Sequence, residues 1–258
     1  MPHLLPKLEL SKSRIDLWCV FQDEITDQDL LNDYEKLLSP DERDQWPKFH
    51  FEKHRHQYLV SRALVRTTIS RYLIGHPGDW RYVKNKYGRP EIIQQQNHKN
   101  LRFNLSHTEG MIILGICLDD DLGVDVEDIK RDRSLIGIAD RYFSPLEVEE
   151  LRSLPEDQQQ TRFFDYWTLK ESFIKARGMG LSLPLDQFSF HLGTNKPFQI
   201  SFDSNDDHTL WQFWQIRLSE KHIGAIAIQR SQQSNYQLTI KKTIPLLKDL
   251  DFDYHMLR

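Results

Sequence analysis

One short pattern occurs in both halves of the chain, as Ser39-Pro40-Asp41-Glu42 and again as Ser144-Pro145-Leu146-Glu147. In each, a serine caps a helix, a proline takes the first turn and a glutamate reaches back to the cap. Each cap is followed by a longer helical stretch and then by strand-like runs. From about Glu52 to Leu73, apolar Leu59, Val60, Ala63 and Leu64 recur at helical spacing, and Gly75 to Gly78 ends the run. In the second half a polar turn, Pro155 to Gln160, precedes a long helix from about Gln159 to Ala176, which the Gly178-Met179-Gly180 turn terminates. Strands are predicted at Ile15–Phe21, Trp80–Lys84, Leu101–Leu105 and Met111–Leu118, then at Phe188–His191, Phe198–Phe202, Trp211–Leu218 and His222–Gln229. The recurrence implies an α+β fold of two similar halves, 1–121 and 122–258, with a seam near Asp119 to Gly123 and an old duplication as its origin. The segment after Arg230 is expected to pack on the second half as an extended tail.

Composition narrows the class. With 39% hydrophobic and 28% charged residues, and no apolar run of 18 or more, the chain reads as a soluble globular protein without a membrane span. The first residues are too short and interrupted for a secretory signal, so a cytoplasmic location is expected. The net charge of -4 argues against broad nucleic-acid binding. The basic run from Arg43 through Lys48, Lys53, Arg55, Arg62, Arg66 and Arg71 therefore reads as a solvated helix face rather than a nucleic-acid patch. Cys19 and Cys117 lie in apolar runs, lack Cys-x-x-Cys spacing and are expected as buried free thiols.

Three segments carry chemistry. In Leu122-Gly123-Val124-Asp125-Val126-Glu127-Asp128, strand alternation puts Asp125 and Glu127 on one face. Two carboxylates there repel unless something positive joins them, and oxygen ligands suit a hard cation such as magnesium or manganese better than zinc. A solvated edge strand is the alternative reading. In the helix from Trp167, Glu171 and Lys175 share a face and Lys170 lies a quarter-turn away, so a carboxylate and ammonium groups converge on a small anionic site, or else form an ordinary surface pair. Phe103-Asn104-Leu105-Ser106-His107 ends a strand in groups suited to phosphate, and Tyr87-Gly88-Arg89-Pro90 places a guanidinium in a tight turn.

In order, these motifs (Gly-Arg-Pro, Phe-Asn-Leu-Ser-His, Gly-Val-Asp-Val-Glu, Arg-Tyr-Phe-Ser-Pro-x-Glu and Trp-x-x-Lys-Glu-Ser-Phe-x-Lys-Ala) resemble those of the 4′-phosphopantetheinyl transferases of the Sfp type over roughly residues 38–230. The resemblance implies a fold of two pseudo-twofold-related α+β halves with the active site in the cleft between them. It also implies transfer of the phosphopantetheine arm of coenzyme A to a serine of an apo carrier protein, releasing adenosine 3′,5′-bisphosphate. The second half would hold the metal and pyrophosphate, and the first the adenosine end. Carried over by motif, Asp125, Glu127 and Glu171 are the magnesium ligands, with manganese as an alternative. Lys170 and Lys175 contact the pyrophosphate, and Arg89, Ser106 and His107 hold the 3′-phosphate and adenosine end. The base that deprotonates the carrier serine is Glu171, directly or through a metal-bound water, with Glu147 as second candidate.

One stretch departs from the family pattern. Where some members carry lysines after the first Ser-Pro cap, this chain has Glu42 and Gln45. Lys53 and Lys84 resemble basic coenzyme A contacts of other members and are expected to take over that grip. The carrier is expected to dock near 131–154, where Arg131, Arg133 and Arg141 lie beside Leu135, Ile136, Ile138, Tyr142 and Phe143, unless those apolar residues are core. A monomer is favoured. An inactive carrier- or nucleotide-binding module and a metal-dependent phosphohydrolase stand as alternatives, separated from transfer by the reaction product.

Overall fold

A computed structural model describes residues 5–131, 135–192, 199–202, 207–231 and 235–258. Along the chain run β1 (Arg14–Val20), α1 (Gln28–Leu37), α2 (Pro40–Gln45), α3 (Glu52–Tyr72), β2 (Tyr82–Lys84), β3 (Pro90–Ile92), β4 (Leu101–Thr108), β5 (Met111–Leu118) and β6 (Asp121–Asp128). Then come α4 (Leu135–Tyr142), α5 (Pro145–Ser153), α6 (Glu156–Arg177), β7 (Phe188–His191), β8 (Gln199–Phe202), β9 (Trp211–Arg217), β10 (His222–Gln229), β11 (Gln237–Ile244), β12 (Lys248–Leu250) and β13 (His255–Met256). Mixed helix and sheet confirm the α+β class. The described residues fall into two compact units, one within Met1–Lys84, Pro90–Asp119 and Tyr236–Phe252, the other within Asn85–Arg89, Asp120–Asn235 and Asp253–Arg258.

The first unit is built on a sheet of order β12-β11-β1-β5-β4. Its interior strand β5, between β1 and β4, is apolar and buried from Met111 to Cys117, as a strand covered on both faces must be. On α3, Leu59, Val60, Ala63, Leu64 and Ile69 enter the same core as Ile112 and Leu114. Helix α1 was not expected, yet its signal is ordinary: Asp27 accepts the Leu30 N–H at 3.0 Å, and Tyr34 and Leu37 recur on the buried face.

Two expectations are corrected here. The segment 237–250 is not a tail of the second half: β11 pairs in parallel with β1, Arg14 against Gln237 through Cys19 against Lys242. It thereby satisfies an edge that β1 would otherwise leave open. Arg71 reinforces this arrangement with a bidentate pair to Asp249 at 2.9 and 2.6 Å. Nor is the basic run of α3 wholly a solvated face, because Arg66 and Arg71 are 1% and 5% exposed. Arg66 pairs with Glu42 at 2.7 Å, so these charges are buried with carboxylate partners.

The second unit has a sheet of order β13-β9-β10-β6, with α6 packed on β6 and β10. Phe163, Tyr166, Phe173, Phe188, Phe190 and Trp211 fill the core between them. Helix α6 starts at Glu156, three residues before the predicted point, because Pro155 takes the capping position. It ends at Gly178, whose φ of 64° lies in the left-handed region. Strand β8 begins at Gln199, and Phe198 lies outside the described residues. Cys19 and Cys117 are both buried. No described helix is long and apolar enough to cross a membrane.

Candidate active site

Gly123 sets the geometry of the second unit's acidic cluster. A Cβ at this position would stand 2.0 Å from the Ser172 carbonyl oxygen and 2.3 Å from the Ala176 nitrogen. Only glycine lets β6 lie this close to α6. Two residues along β6, Asp125 is then within reach of the helix, and its Oδ1 receives Lys175 Nζ at 2.6 Å. Glu171, one turn before Lys175 on α6, faces the same carboxylates. Burial first, then the negative charge of Asp125, push its carboxyl up to about 7; Lys175 opposes the rise and Glu127 adds to it. Glu127 Oε1 accepts the Trp167 indole N–H at 3.2 Å, and Arg131 stands 3.7 Å from Oε2.

Asp125, Glu127 and Glu171 are thus brought close enough to act on one another's charge. Among the described residues no three His, Cys, Asp or Glu side chains are arranged as they stand to hold a metal ion. Lys175 occupies one carboxylate oxygen instead. The donor chemistry nevertheless fits a hard divalent cation: three carboxyl groups face one ammonium, and burial with the Asp125 charge raises the Glu171 carboxyl to about 7.

Lys170 and Glu147 do not join this cluster, and both assignments are corrected. Lys170 is 0% exposed. Its ammonium donates to the carbonyls of Leu185 and Phe188 at 2.6 and 2.7 Å, pairs with Glu147 Oε2 at 2.8 Å and lies 4.2 Å from the centre of the Phe188 ring. Three acceptors match its three donors, so no pyrophosphate contact is open to it. Glu147 is 1% exposed. Its carboxylate accepts the Ser144 and Phe190 N–H groups at 3.0 and 2.9 Å, completing the capping box of α5 and fastening β7. It fails as a base because no substrate hydroxyl can reach it.

Arg89, expected at the nucleotide end, lies in the second unit at the C-terminal end of α6. It donates to the Ala176 carbonyl at 2.9 Å and to Asp121 at 3.1 Å. A cation there matches the negative end of the helix. The same turn is tied to α6 by Asn85, which donates to the Gly178 carbonyl at 2.9 Å.

The remaining nucleotide-end residues belong to the first unit. Strand alternation sends Ser106 and His107 to opposite faces of β4: Ser106 is buried, while His107 is exposed and lines a cavity of about 260 Å³ with residues of α3. Lys53 is exposed and paired with Glu109 at 3.1 Å, and Lys84 is exposed on β2. Glu42 is buried in the capping box of α2 and held by Arg66. Arg62, named from the sequence only within the basic run, lines the His107 cavity with Tyr58 and Ser61, which the sequence reading did not name, although Tyr58 and Arg62 stand one turn apart.

The region expected to receive a partner, 131–154, is divided between core and surface. Phe143 is core, with Ile138 and Tyr142 packed against it, whereas Leu146 is 57% exposed. Arg133 and the side chains of Leu135 and Ile136 lie outside the described residues. Between α4 and α5 a cavity of about 590 Å³ is lined by Phe143, Pro145 and Val148, with Asp140 and Arg152 paired at its rim at 2.8 Å.

Known proteins match both units. Residues 26–117 match the family described as 4′-phosphopantetheinyl transferase, N-terminal, and residues 121–240 match the 4′-phosphopantetheinyl transferase superfamily. The 4′-phosphopantetheinyl transferase HetI of Nostoc is 29% identical over 86% of this chain and 91% of its own. Two Bacillus subtilis 4′-phosphopantetheinyl transferases, ffp and Sfp, are 33% and 32% identical over 75% of this chain and 83% of theirs. With both halves matched and this degree of identity over most of each relative, the chain belongs to the Sfp-type 4′-phosphopantetheinyl transferases.

Proposed function

We propose that the enzyme transfers the 4′-phosphopantetheine arm of coenzyme A to a serine of an apo carrier protein, releasing adenosine 3′,5′-bisphosphate. The observation that carries the chemistry is the Lys175–Asp125 contact of 2.6 Å beside a Glu171 whose carboxyl titrates near neutrality. Asp125, Glu127 and Glu171 would hold magnesium, or manganese in its place. When bound, the ion neutralises pyrophosphate charge and favours departure of the bisphosphate.

Lys175, 27% exposed, is freed from Asp125 to neutralise the pyrophosphate, the work first expected of two lysines. The carrier serine oxygen attacks the phosphorus next to the pantetheine arm. A phosphorus–oxygen bond forms to serine as the bond to the bridging oxygen breaks. Glu171 is the group assigned to accept the serine proton, a role supported by its place on α6 beside Asp125 and Lys175. His107, Lys53 and Lys84 of the first unit remain assigned to the nucleotide end. Carrier docking is assigned near 131–154, supported by exposed Leu146 beside the α4–α5 cavity.

The test incubates the protein with coenzyme A, magnesium and a panel of apo carriers and follows carrier mass. Gain of one phosphopantetheine arm is expected, and loss of that gain in Glu171→Gln with the fold retained. Coenzyme A binding without mass gain on any carrier class would replace transfer by the inactive-module reading. Free phosphopantetheine as product would replace it by hydrolysis.

A further inference from the structure

The turn Asn85–Arg89 of the second unit carries two donors to one place. The Asn85 side-chain oxygen accepts the Tyr87 and Arg89 N–H groups, both at 2.9 Å, and the Asn85 backbone N–H donates to the Arg89 carbonyl at 3.0 Å. Asparagine suits such a turn because its side chain stands in for a backbone acceptor. The Asn85 amide and the Arg89 guanidinium then both reach the end of α6.

That end needs them. The last carbonyls of a helix have no partner within it, so the final turn is the first to fray unless donors come from elsewhere. Here the Gly178 N–H donates to the Lys175 carbonyl at 3.1 Å, Arg89 Nη1 to the Ala176 carbonyl at 2.9 Å and Asn85 Nδ2 to the Gly178 carbonyl at 2.9 Å. Gly178 also leaves the guanidinium its seat, since a Cβ at this position would stand 2.8 Å from Cζ and Nη1 of Arg89. Lys175 belongs to the turn secured in this way.

The second arm of the guanidinium holds the facing strand. Arg89 Nη2 donates at 3.1 Å to Asp121, the first residue of β6 and four residues before Asp125. One planar group therefore ties together the two elements that meet in the Lys175–Asp125 contact of 2.6 Å. A guanidinium fork holds two acceptors at a fixed separation, which an ammonium cannot do. The Arg89 side chain is 14% exposed, and its charge is balanced by Asp121 and by the negative end of α6.

We propose that Arg89 is a positioning residue of the transfer reaction, bridging the Ala176 carbonyl of α6 and the Asp121 carboxylate of β6 so that Lys175 stands opposite Asp125, and that it is not a ligand of the nucleotide. This assignment rests on the transferase reading. Lys175 neutralises the pyrophosphate only where it can reach it, and a displacement of about 1 Å in such a group costs up to about 100-fold in rate.

The experiment compares wild type and Arg89→Gln in three measurements. In carrier modification, kcat should fall roughly 10- to 100-fold. KM for coenzyme A, and the calorimetric Kd of adenosine 3′,5′-bisphosphate, should stay within about threefold, because the loss is confined to the transition state. Amide hydrogen exchange over residues 170–178, which needs neither carrier nor turnover, should quicken roughly tenfold. A weaker bisphosphate with kcat retained, matched losses in kcat and binding, or unchanged exchange each overturns the proposal. If Arg89→Gln melts early, Arg89→Lys decides, since it keeps the charge at the helix end and loses the fork: restored stability with kcat still low supports the brace, and kcat restored together with stability overturns it. Asp121→Ala removes the anchor on β6 and leaves the guanidinium, so kcat should again fall with bisphosphate binding unchanged, and wild-type kcat overturns the proposal. Failure of the transferase reading is seen separately, as absence of carrier modification by the wild type.

Discussion

Glu147 and Lys170 form an ion pair with both side chains at 1% exposure or less, and its disruption separates a structural role from a catalytic one. Glu147→Gln keeps a group able to close the capping box of α5, since glutamine serves at that position as glutamate does. What it removes is the counterion of a fully buried ammonium. Breaking one partner of such a pair costs about 3–5 kcal/mol, because the remaining charge is left without compensation. Two carbonyls still receive Lys170 at 2.6 and 2.7 Å, which places the expected loss near ~3 kcal/mol. For a chain of this size that corresponds to roughly 6–12 °C in Tm, at about 2–4 °C per kcal/mol. Thermal unfolding followed by circular dichroism reads the shift, and carrier modification well below the transition reads kcat. The transfer rate should stay within a few-fold of wild type. A variant with unchanged Tm and a loss of ~100-fold or more, the scale of general-base catalysis, would refute the structural reading and restore Glu147 as the base. Replacing both partners by apolar residues, as Glu147→Leu with Lys170→Met, should not recover that stability, because the Ser144 and Phe190 N–H groups and the Leu185 and Phe188 carbonyls would lose their buried partners.

Gly123→Ala should be harmful well beyond one methyl group. Its Cβ would meet backbone atoms of α6 at 2.0 and 2.3 Å, so helix and strand must separate. A loss of about 1–3 kcal/mol or more in denaturant unfolding is expected, together with reduced transfer as Asp125 and Lys175 part; wild-type stability and rate would contradict the close packing. Glu171 makes stability depend on pH. Its carboxyl rises from 4.5 to about 7 on folding, so the native state holds the proton more tightly than the unfolded chain does. The stabilisation is whole below about pH 4.5 and is lost as pH rises to about 7, at ~1.4 kcal/mol per unit at most. Glu171→Gln should abolish that slope, and an unchanged pH profile of unfolding would show that the site is wetter than its burial implies.

Much of the architecture was legible because its causes are local. Serine, proline and glutamate at fixed offsets start α2 and α5 whatever surrounds them, and alternation along β6 puts Asp125 and Glu127 on one face before any packing is known. Helix α1 was missed although its Asp27 cap and apolar spacing are equally local; its signal was present and unread.

The sequence by itself determined the starts of α2 and α5, the α+β class, the shared face of Asp125 and Glu127 and, through the resemblance of its motifs, the family. Tertiary structure alone decided what covers each face. Periodicity places Lys170 beside Glu171 on α6 but says nothing of the Leu185 and Phe188 carbonyls that claim its ammonium. Nor does it reveal that β11 completes the β1 edge, or that Glu42 stands near Arg62 and is bound by Arg66. A charged side chain has one local address and many prospective partners, and only the packed chain brings a particular partner within hydrogen-bonding distance.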